Sequence, residues 1–183
     1  CGDNGTWTLD TAGVLTISGT GDMTDGNINS ITGPFNDYTD IVKEVIIEEG
    51  VTSIGSCAFS KCSGLTSITI PDSVNRIDRY ACNQCVGLPA FVIPETITTI
   101  AANAFFKCTG LTEMVIPATV TSIDTSNMFY ACTSLRKVTF LNAPTILKVF
   151  TFYQCYALQE VVIPDSVTEF ANSVFRDCIA LES

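Results

Sequence analysis

Cysteine is the residue of this chain with the most obvious chemistry. Nine cysteines occur in 183 residues, and Cys82 and Cys85 stand at the Cys-x-x-Cys spacing of zinc sites and thioredoxin-like redox centres. Histidine is absent, which removes the commonest zinc ligand, the usual general base and every Ser–His or Cys–His nucleophile pair. The alternative to thiol chemistry is packing, because a free cysteine behaves as a small apolar residue in a core.

Six of the cysteines recur at a nearly constant interval, which favours packing. They are Cys62, Cys85, Cys108, Cys132, Cys155 and Cys178, and a leucine follows each of them by three residues. Neighbouring thiols of such a column lie within disulfide distance, but their parallel Cβ directions give a poor torsion angle. We therefore expect mostly free thiols. Cys57 and Cys82 lie off the column, so any disulfide in an oxidising compartment would involve them first.

The same interval governs the apolar residues and predicts a solenoid. Alternating strand-like triplets occur at Val45–Ile47, Ile68–Ile70, Phe91–Ile93, Met114–Ile116, Val138–Phe140 and Val161–Ile163, and a proline follows four of them. A second short strand, such as Val51–Ile54, comes next. Ala58, Phe59, Cys62 and Leu65 have the spacing of a helical face, which predicts a short helix or 3₁₀ turn. About six coils of 23 residues would each contain strand, turn, short strand and short helix.

One coil and both ends depart from the repeat. The proline moves by three places in the segment Leu141–Ile146, which predicts a kink or bulge there. Residues 1–43 contain two strand-like runs, at 6–10 and 14–18, that read as a β-hairpin carrying the single tryptophan. We expect residues 1–43 to cap the solenoid of residues 44–183. A C-terminal equivalent is absent from the sequence, so we expect the natural protein to continue.

The composition of the chain excludes several classes of function. Nine Lys and Arg against nineteen Asp and Glu give a net charge of −10, which repels nucleic acid and anionic membrane surfaces. No run of about 18 apolar residues exists to insert into a membrane. Asp22, Asp25 and Asn27 offer oxygen ligands for calcium, but their spacing favours a polar turn. We therefore expect neither metal nor cofactor and no enzymatic activity.

The repeat resembles that of the BspA-like leucine-rich-repeat surface proteins. The phrases that carry the likeness are Val51-Thr-Ser-Ile54, Ala58-Phe59-Ser-Lys-Cys62-Ser-Gly-Leu65 and Ile68-Thr-Ile70-Pro71. The segment from Cys1 to Met23 is similar to one that often precedes such repeats in secreted proteins of gut anaerobes. The resemblance implies a right-handed leucine-rich-repeat solenoid at the cell surface and adhesion to host proteins, such as fibrinogen or fibronectin, or to other cells. It implies no catalytic residues and no cofactor.

The outward strand positions are the candidate binding site. Read along the stack, they are Ile46, Thr69, Val92, Val115, Thr139 and Val162, flanked by Glu44, Ser67, Ala90, Glu113, Lys137 and Glu160. An exposed apolar stripe is typical of a protein-binding surface. The same residues also suit any strand, since β-branched side chains are favoured there. Both interpretations stay open at this stage.

Three functions follow from these observations. The first is a non-catalytic, adhesin-like module that binds a host matrix protein or another extracellular protein through the strand face. The second is a spacer that projects other domains and has no ligand of its own. The third is carbohydrate binding, for which Tyr80, Tyr130, Tyr153 and Tyr156 supply aromatic rings near the predicted helical turns.

Overall fold

The computed structural model describes residues 5–142 and 144–182, and these residues form short strands joined by turns. The strands are β1 Thr6–Leu9, β2 Val14–Ser18, β3 Gly21–Asp22, β4 Glu44–Ile47, β5 Val51–Ile54, β6 Ser67–Thr69, β7 Arg76–Ile77, β8 Thr99–Ile100, β9 Glu113–Ile116, β10 Ser122–Ile123, β11 Lys137–Phe140, β12 Ile146–Leu147, β13 Glu160–Val162 and β14 Glu169–Phe170. A 3₁₀ helix spans Asn36–Tyr38 and precedes the first parallel strand of the repeats.

A first parallel sheet runs along the stack and begins with the predicted hairpin. Strands β1 and β2 pair antiparallel, β2 pairs parallel with β4, and β4 pairs with β6. Further along, β9 pairs with β11 and β11 with β13. Trp7 on β1 packs edge-on against Phe35 and Tyr38, with ring centroids 5.5 and 5.4 Å away. The predicted solenoid and its hairpin are confirmed.

The first sheet is interrupted where a strand was predicted at Phe91–Ile93, and that prediction is wrong. The described chain forms a single β-bridge there, from Ala90 to Glu113. Proline explains the gap. At the equivalent position of the coil before, the Thr66 N–H donates to the Lys43 carbonyl at 2.8 Å, whereas Pro89 has no N–H to donate to Thr66.

A second parallel sheet follows the turn after each first strand. The order of its strands is β3, β5, β7, β8 and β10. Strands β12 and β14 form a separate pair. The interruption between β10 and β12 coincides with the irregular segment in which we expected a kink or bulge, of which Ala143 lies outside the described residues. The proline of this segment, Pro144, follows its strand three residues later than the proline of four other coils does.

Turns, not helices, close the coils, so the predicted helical segment is corrected. Two residues in every coil adopt positive φ; they are Cys57, Lys61, Tyr80, Gln84, Asn103, Lys107, Asn127, Ala131, Phe150, Gln154, Ser173 and Asp177. None of these twelve is β-branched, which suits the crowding of that conformation; Ile31, before the first coil, is a β-branched residue that also adopts it. Positive φ breaks a helix and directs alternate N–H groups to the next coil: Phe59 N–H bonds Ala81 O at 2.8 Å, and Lys61 N–H bonds Asn83 O at 2.7 Å.

The core consists of aligned columns of identical side chains. Phe105, Phe129, Phe152 and Phe175 stack face to face with centroids 5.4 to 5.8 Å apart. The column cysteines lie beside them, and each thiol from Cys85 to Cys178 bonds a carbonyl 26 or 27 residues earlier at 2.9 to 3.1 Å. Cys82 takes the place of a column phenylalanine, and Phe91 at the start of the next coil packs on Phe105 with ring centroids 4.9 Å apart.

Candidate protein-binding face

The predicted face consists of two groups of residues on either side of the interruption. On one side Glu44 lies beside Ser67 and Ile46 beside Thr69. On the other, Glu113, Lys137 and Glu160 are in register, as are Val115, Thr139 and Val162. Thr69, Val92, Val115, Val162, Glu113 and Glu160 are exposed, while Ile46, Thr139, Glu44 and Lys137 are half-buried. Val92 stands between the groups, in the interrupted coil.

A groove opens on this face at the interruption. Its volume is about 350 Å³, and it is lined by Ala90–Ile93, Glu95, Glu113–Val115 and Pro117. The side chain of Val92 is 81% exposed and that of Val115 is 52% exposed. Isolated apolar side chains are ordinary on protein surfaces, but adjoining ones beside a groove mark an interaction site.

Sequence reasoning found Ala90, Val92, Val115 and Glu113 but missed the groove between them. It did not single out Glu95. The available signal was Pro89, which replaces the residue whose N–H begins the ladder in the neighbouring coils. A proline at that register position predicts a missing strand.

The charges on this face are only partly paired. Lys137 Nζ lies 2.9 Å from Glu160 Oε2, and both side chains are about half exposed. No cation pairs with Glu113 or Glu95 among the described residues, although the Thr119 hydroxyl donates a 3.4 Å hydrogen bond to Glu95. Two unpaired carboxylates therefore border the groove.

The cysteines form a packed column of free thiols in the described chain. Cys62, Cys85, Cys108, Cys132 and Cys155 are buried and unpaired, and Cys1 lies outside the described residues. Burial raises the pKa of Cys62 to about 12, and a hydrogen bond with Cys82 together with burial raises the pKa of Cys85. Such thiols stay protonated, which disfavours thiolate chemistry. No cluster suited to a metal ion occurs in the described part.

The acidic residues near the hairpin are committed to structural hydrogen bonds. Asp22 accepts one from the Thr52 hydroxyl at 2.6 Å and one from Arg76 at 3.0 Å, and these bonds lower the pKa of Asp22. Asp25 accepts one from the Ser56 N–H at 2.6 Å. This arrangement agrees with a polar turn at the segment considered for calcium.

The tyrosines considered for carbohydrate binding form an aromatic stack along the turns. Phe106 and Tyr130 lie face to face with ring centroids 4.7 Å apart, and the ring of Tyr153 lies tilted by 34° against that of Tyr130 at 4.9 Å. Lys107 lies over Phe106, and Arg79 lies over Tyr80. Sugar binding uses free ring faces, whereas the faces here cover one another. Tyr156, which is 42% exposed, makes no ring contact in the described chain.

No helix within residues 5–142 and 144–182 has the length and apolar character that a membrane span requires.

Crystal structures of bacterial leucine-rich-repeat proteins share this fold. A leucine-rich-repeat protein of T. pallidum is similar with a TM-score of 0.73 and 24% identity, covering 100% of this chain and 90% of that one. A leucine-rich cell surface protein of Faecalibacterium prausnitzii A2-165 gives 0.73 and 29%, covering 100% and 53%. This chain thus spans about half the length of the F. prausnitzii protein. A leucine-rich-repeat protein of Eubacterium ventriosum gives 0.62 and 21%, covering 98% and 69%.

The repeat itself matches a defined family. No curated protein matches the chain. The profile of the BspA type leucine-rich-repeat region does match, in six copies that cover residues 31–127 and 124–182. Stacked repeats of this kind form extended surfaces on which proteins bind, and they are typically non-catalytic. The chain therefore belongs to the BspA-type leucine-rich-repeat family.

Proposed function

We propose that this chain is a non-catalytic recognition module of a secreted cell-surface protein, adhesin-like in action, that binds an extracellular or host matrix protein through the strand face. The observation that carries the proposal is the apolar groove around Val92 and Val115. The likeness to a leucine-rich cell surface protein of F. prausnitzii supports the location. In this proposal the segment up to about residue 43 caps the stack, and the repeats present the face.

Charge indicates the kind of partner. The chain carries a net charge of −10, and the carboxylates of Glu113 and Glu95 border the groove without cations. A partner with a basic surface around an apolar contact would complement both features. Exposed charges are screened within about 8 Å at physiological ionic strength, so such binding weakens as salt increases.

The test is binding to a panel of purified fibrinogen, fibronectin, laminin and collagen at about 0.1 and 0.5 M salt. A triple variant, Val92→Lys, Val115→Lys and Val162→Lys, places three like charges on the face. A charge-matched control carries lysine at Thr121, Ser122 and Asn172, which are exposed away from the face. We expect saturable, salt-sensitive binding that the face variant loses and the control keeps. Binding that survives the face variant would contradict the assignment.

The alternative function is a spacer without a ligand. The outward positions are rich in valine and threonine, which any strand favours. Absence of binding to the whole panel at both salt concentrations would support the spacer.

A further inference from the structure

We propose that the groove at the interrupted coil binds an extended peptide segment of the partner, in which an apolar residue is adjacent to a lysine or arginine. This inference rests on the proposed function, because it concerns the same face. It names the occupant by its chemistry: an extended backbone, one apolar side chain and one flanking cation.

The backbone at the groove has lost most of its ladder hydrogen bonds. Beyond the single bridge between Ala90 and Glu113, residues 91–93 make no backbone hydrogen bond to either neighbouring coil in the described chain. In the intact coils the corresponding residues belong to the parallel ladder, for example Val138 opposite Val161. An extended peptide brings its own N–H and C=O groups, which can pair with such unbonded groups as an added strand does. The loss of the ladder at Pro89 thus creates a place where a foreign strand can bond.

The lining of the groove is largely apolar. Val92 projects into solvent, Val115 stands beside it on β9, and the buried side chains of Phe91, Ile93 and Met114 form the floor. The volume of about 350 Å³ lies within the range of ligand pockets in proteins. An apolar side chain of the peptide would cover Val92 and Val115 and remove their surface from water.

The rim of the groove carries negative charge from Glu113 and Glu95. Glu113 is in register with Lys137, yet Lys137 forms its ion pair with Glu160 instead. Glu113 and Glu95 are therefore available to a cation of the partner. Glu113 begins one of the two lining segments, and Glu95 ends the other. A partner lysine or arginine beside the apolar residue would meet one of these carboxylates. An acidic peptide of the same shape would be repelled.

The test is titration of the ¹⁵N-labelled protein with two synthetic heptapeptides, one alternating lysine and valine and one alternating glutamate and valine. We expect the lysine–valine peptide to shift the amide signals of residues 90–93 and 113–115, and the glutamate–valine peptide to shift none. Val92→Lys should weaken the affinity at least tenfold. Val162→Lys makes the same change on the same face outside the groove and should alter the affinity less than twofold.

A second variant tests the backbone argument without adding charge. Pro89→Thr installs the residue that the equivalent position has at Thr66 and Thr112, and its N–H can close the ladder. Peptide affinity should fall at least fivefold. Any of three results would overturn the inference: no signal shift at a millimolar concentration of the lysine–valine peptide, shifts spread over the whole acidic surface, or a peptide affinity of Val92→Lys equal to that of the wild type.

These outcomes separate the two proposals. If the peptide fails while Val162→Lys abolishes binding of a matrix protein, the strand face functions without the groove, and only the inference is wrong. If the peptide binds in the groove while no protein of the panel binds, the inference stands, and the matrix partner of the proposed function is wrong.

Discussion

The column of buried thiols predicts a steep loss of stability in mild alkali. Cys62, Cys85, Cys108, Cys132 and Cys155 have pKa values raised above the ordinary thiol value, chiefly by burial, except that hydrogen bonding to Cys82 dominates for Cys85. An unfolded chain ionises its thiols near pH 8.5. A thiol whose pKa is higher in the folded state than in the unfolded state stabilises the fold fully at any pH below the pKa of the unfolded state. This stabilisation declines as the pH rises toward the pKa of the folded state, which is about 12 for Cys62.

The size of the effect follows from linkage. Each thiol that is protonated only in the folded state costs about 1.4 kcal/mol per pH unit above its unfolded pKa, so five cost about 7 kcal/mol per unit. The whole free energy of unfolding of a domain is about 5–15 kcal/mol. The fold should therefore be lost at about pH 10, well before the column thiols titrate in the folded protein.

The assay is urea unfolding followed by far-ultraviolet circular dichroism at pH 7, 8, 9 and 9.5 under a phosphine reductant. The matched variant is Cys132→Ala, which should be less stable at pH 7 because of its cavity but should show a pH slope smaller by about a fifth. Equal free energies of unfolding at pH 8 and 9.5 would refute the reasoning. An unchanged slope in Cys132→Ala would also refute it.

Three other substitutions test the stacking. Phe129→Ala opens the phenylalanine column at its middle and should lower the free energy of unfolding by about 3–5 kcal/mol. Circular dichroism reports all coils and the fluorescence of Trp7 reports the hairpin, so the first signal should change at a lower urea concentration than the second. Coincident transitions would contradict this expectation. Pro89→Thr should stabilise by about 1 kcal/mol in urea unfolding, because recovered ladder bonds outweigh the lost rigidity of proline; a loss of stability would count against our explanation of the gap. Lys137→Ala removes an exposed ion pair with Glu160 and should change stability by less than about 1 kcal/mol by the same assay, and a larger loss would be unexpected.

The register of the repeat accounts for most of what the sequence predicts. Cys62, Leu65 and Ile68 recur at one interval because each side chain must lie on its counterpart in the next coil, so a list of spacings already specifies the stack. The hairpin was equally predictable, because apolar and polar residues alternate in Thr6–Leu9 and Val14–Ser18 on either side of a short turn. The cysteine column followed from the same register, without any knowledge of redox conditions.

The segment before each column cysteine was mispredicted for a physical reason. Ala58, Phe59, Cys62 and Leu65 fit a helical face, but the spacing of apolar residues does not reveal the sign of φ. In the fold, Cys57 and Lys61 adopt positive φ. Alternate N–H groups, such as that of Phe59, bond the next coil, whereas those of Ala58 and Ser60 bond their own coil. A neighbouring coil therefore decides this local structure, which a single repeat cannot specify.

The candidate site was predictable in its position but not in its shape. Outward alternation placed Val92 and Val115 on one face, but the alternation at Phe91–Ile93 concealed the missing strand. The groove depends on one absent N–H at Pro89, whose importance is visible only against the hydrogen bonds of the coils on either side.

The most direct test of the central claim is a measurement of affinity for a protein partner that binds saturably. It compares the wild type with two variants: one with lysine at Val92, Val115 and Val162, and the charge-matched control with lysine at Thr121, Ser122 and Asn172. We predict that the face variant loses at least tenfold in affinity and that the control stays within twofold. Equal affinities of the face variant and the control would contradict the assignment of the strand face as the recognition surface.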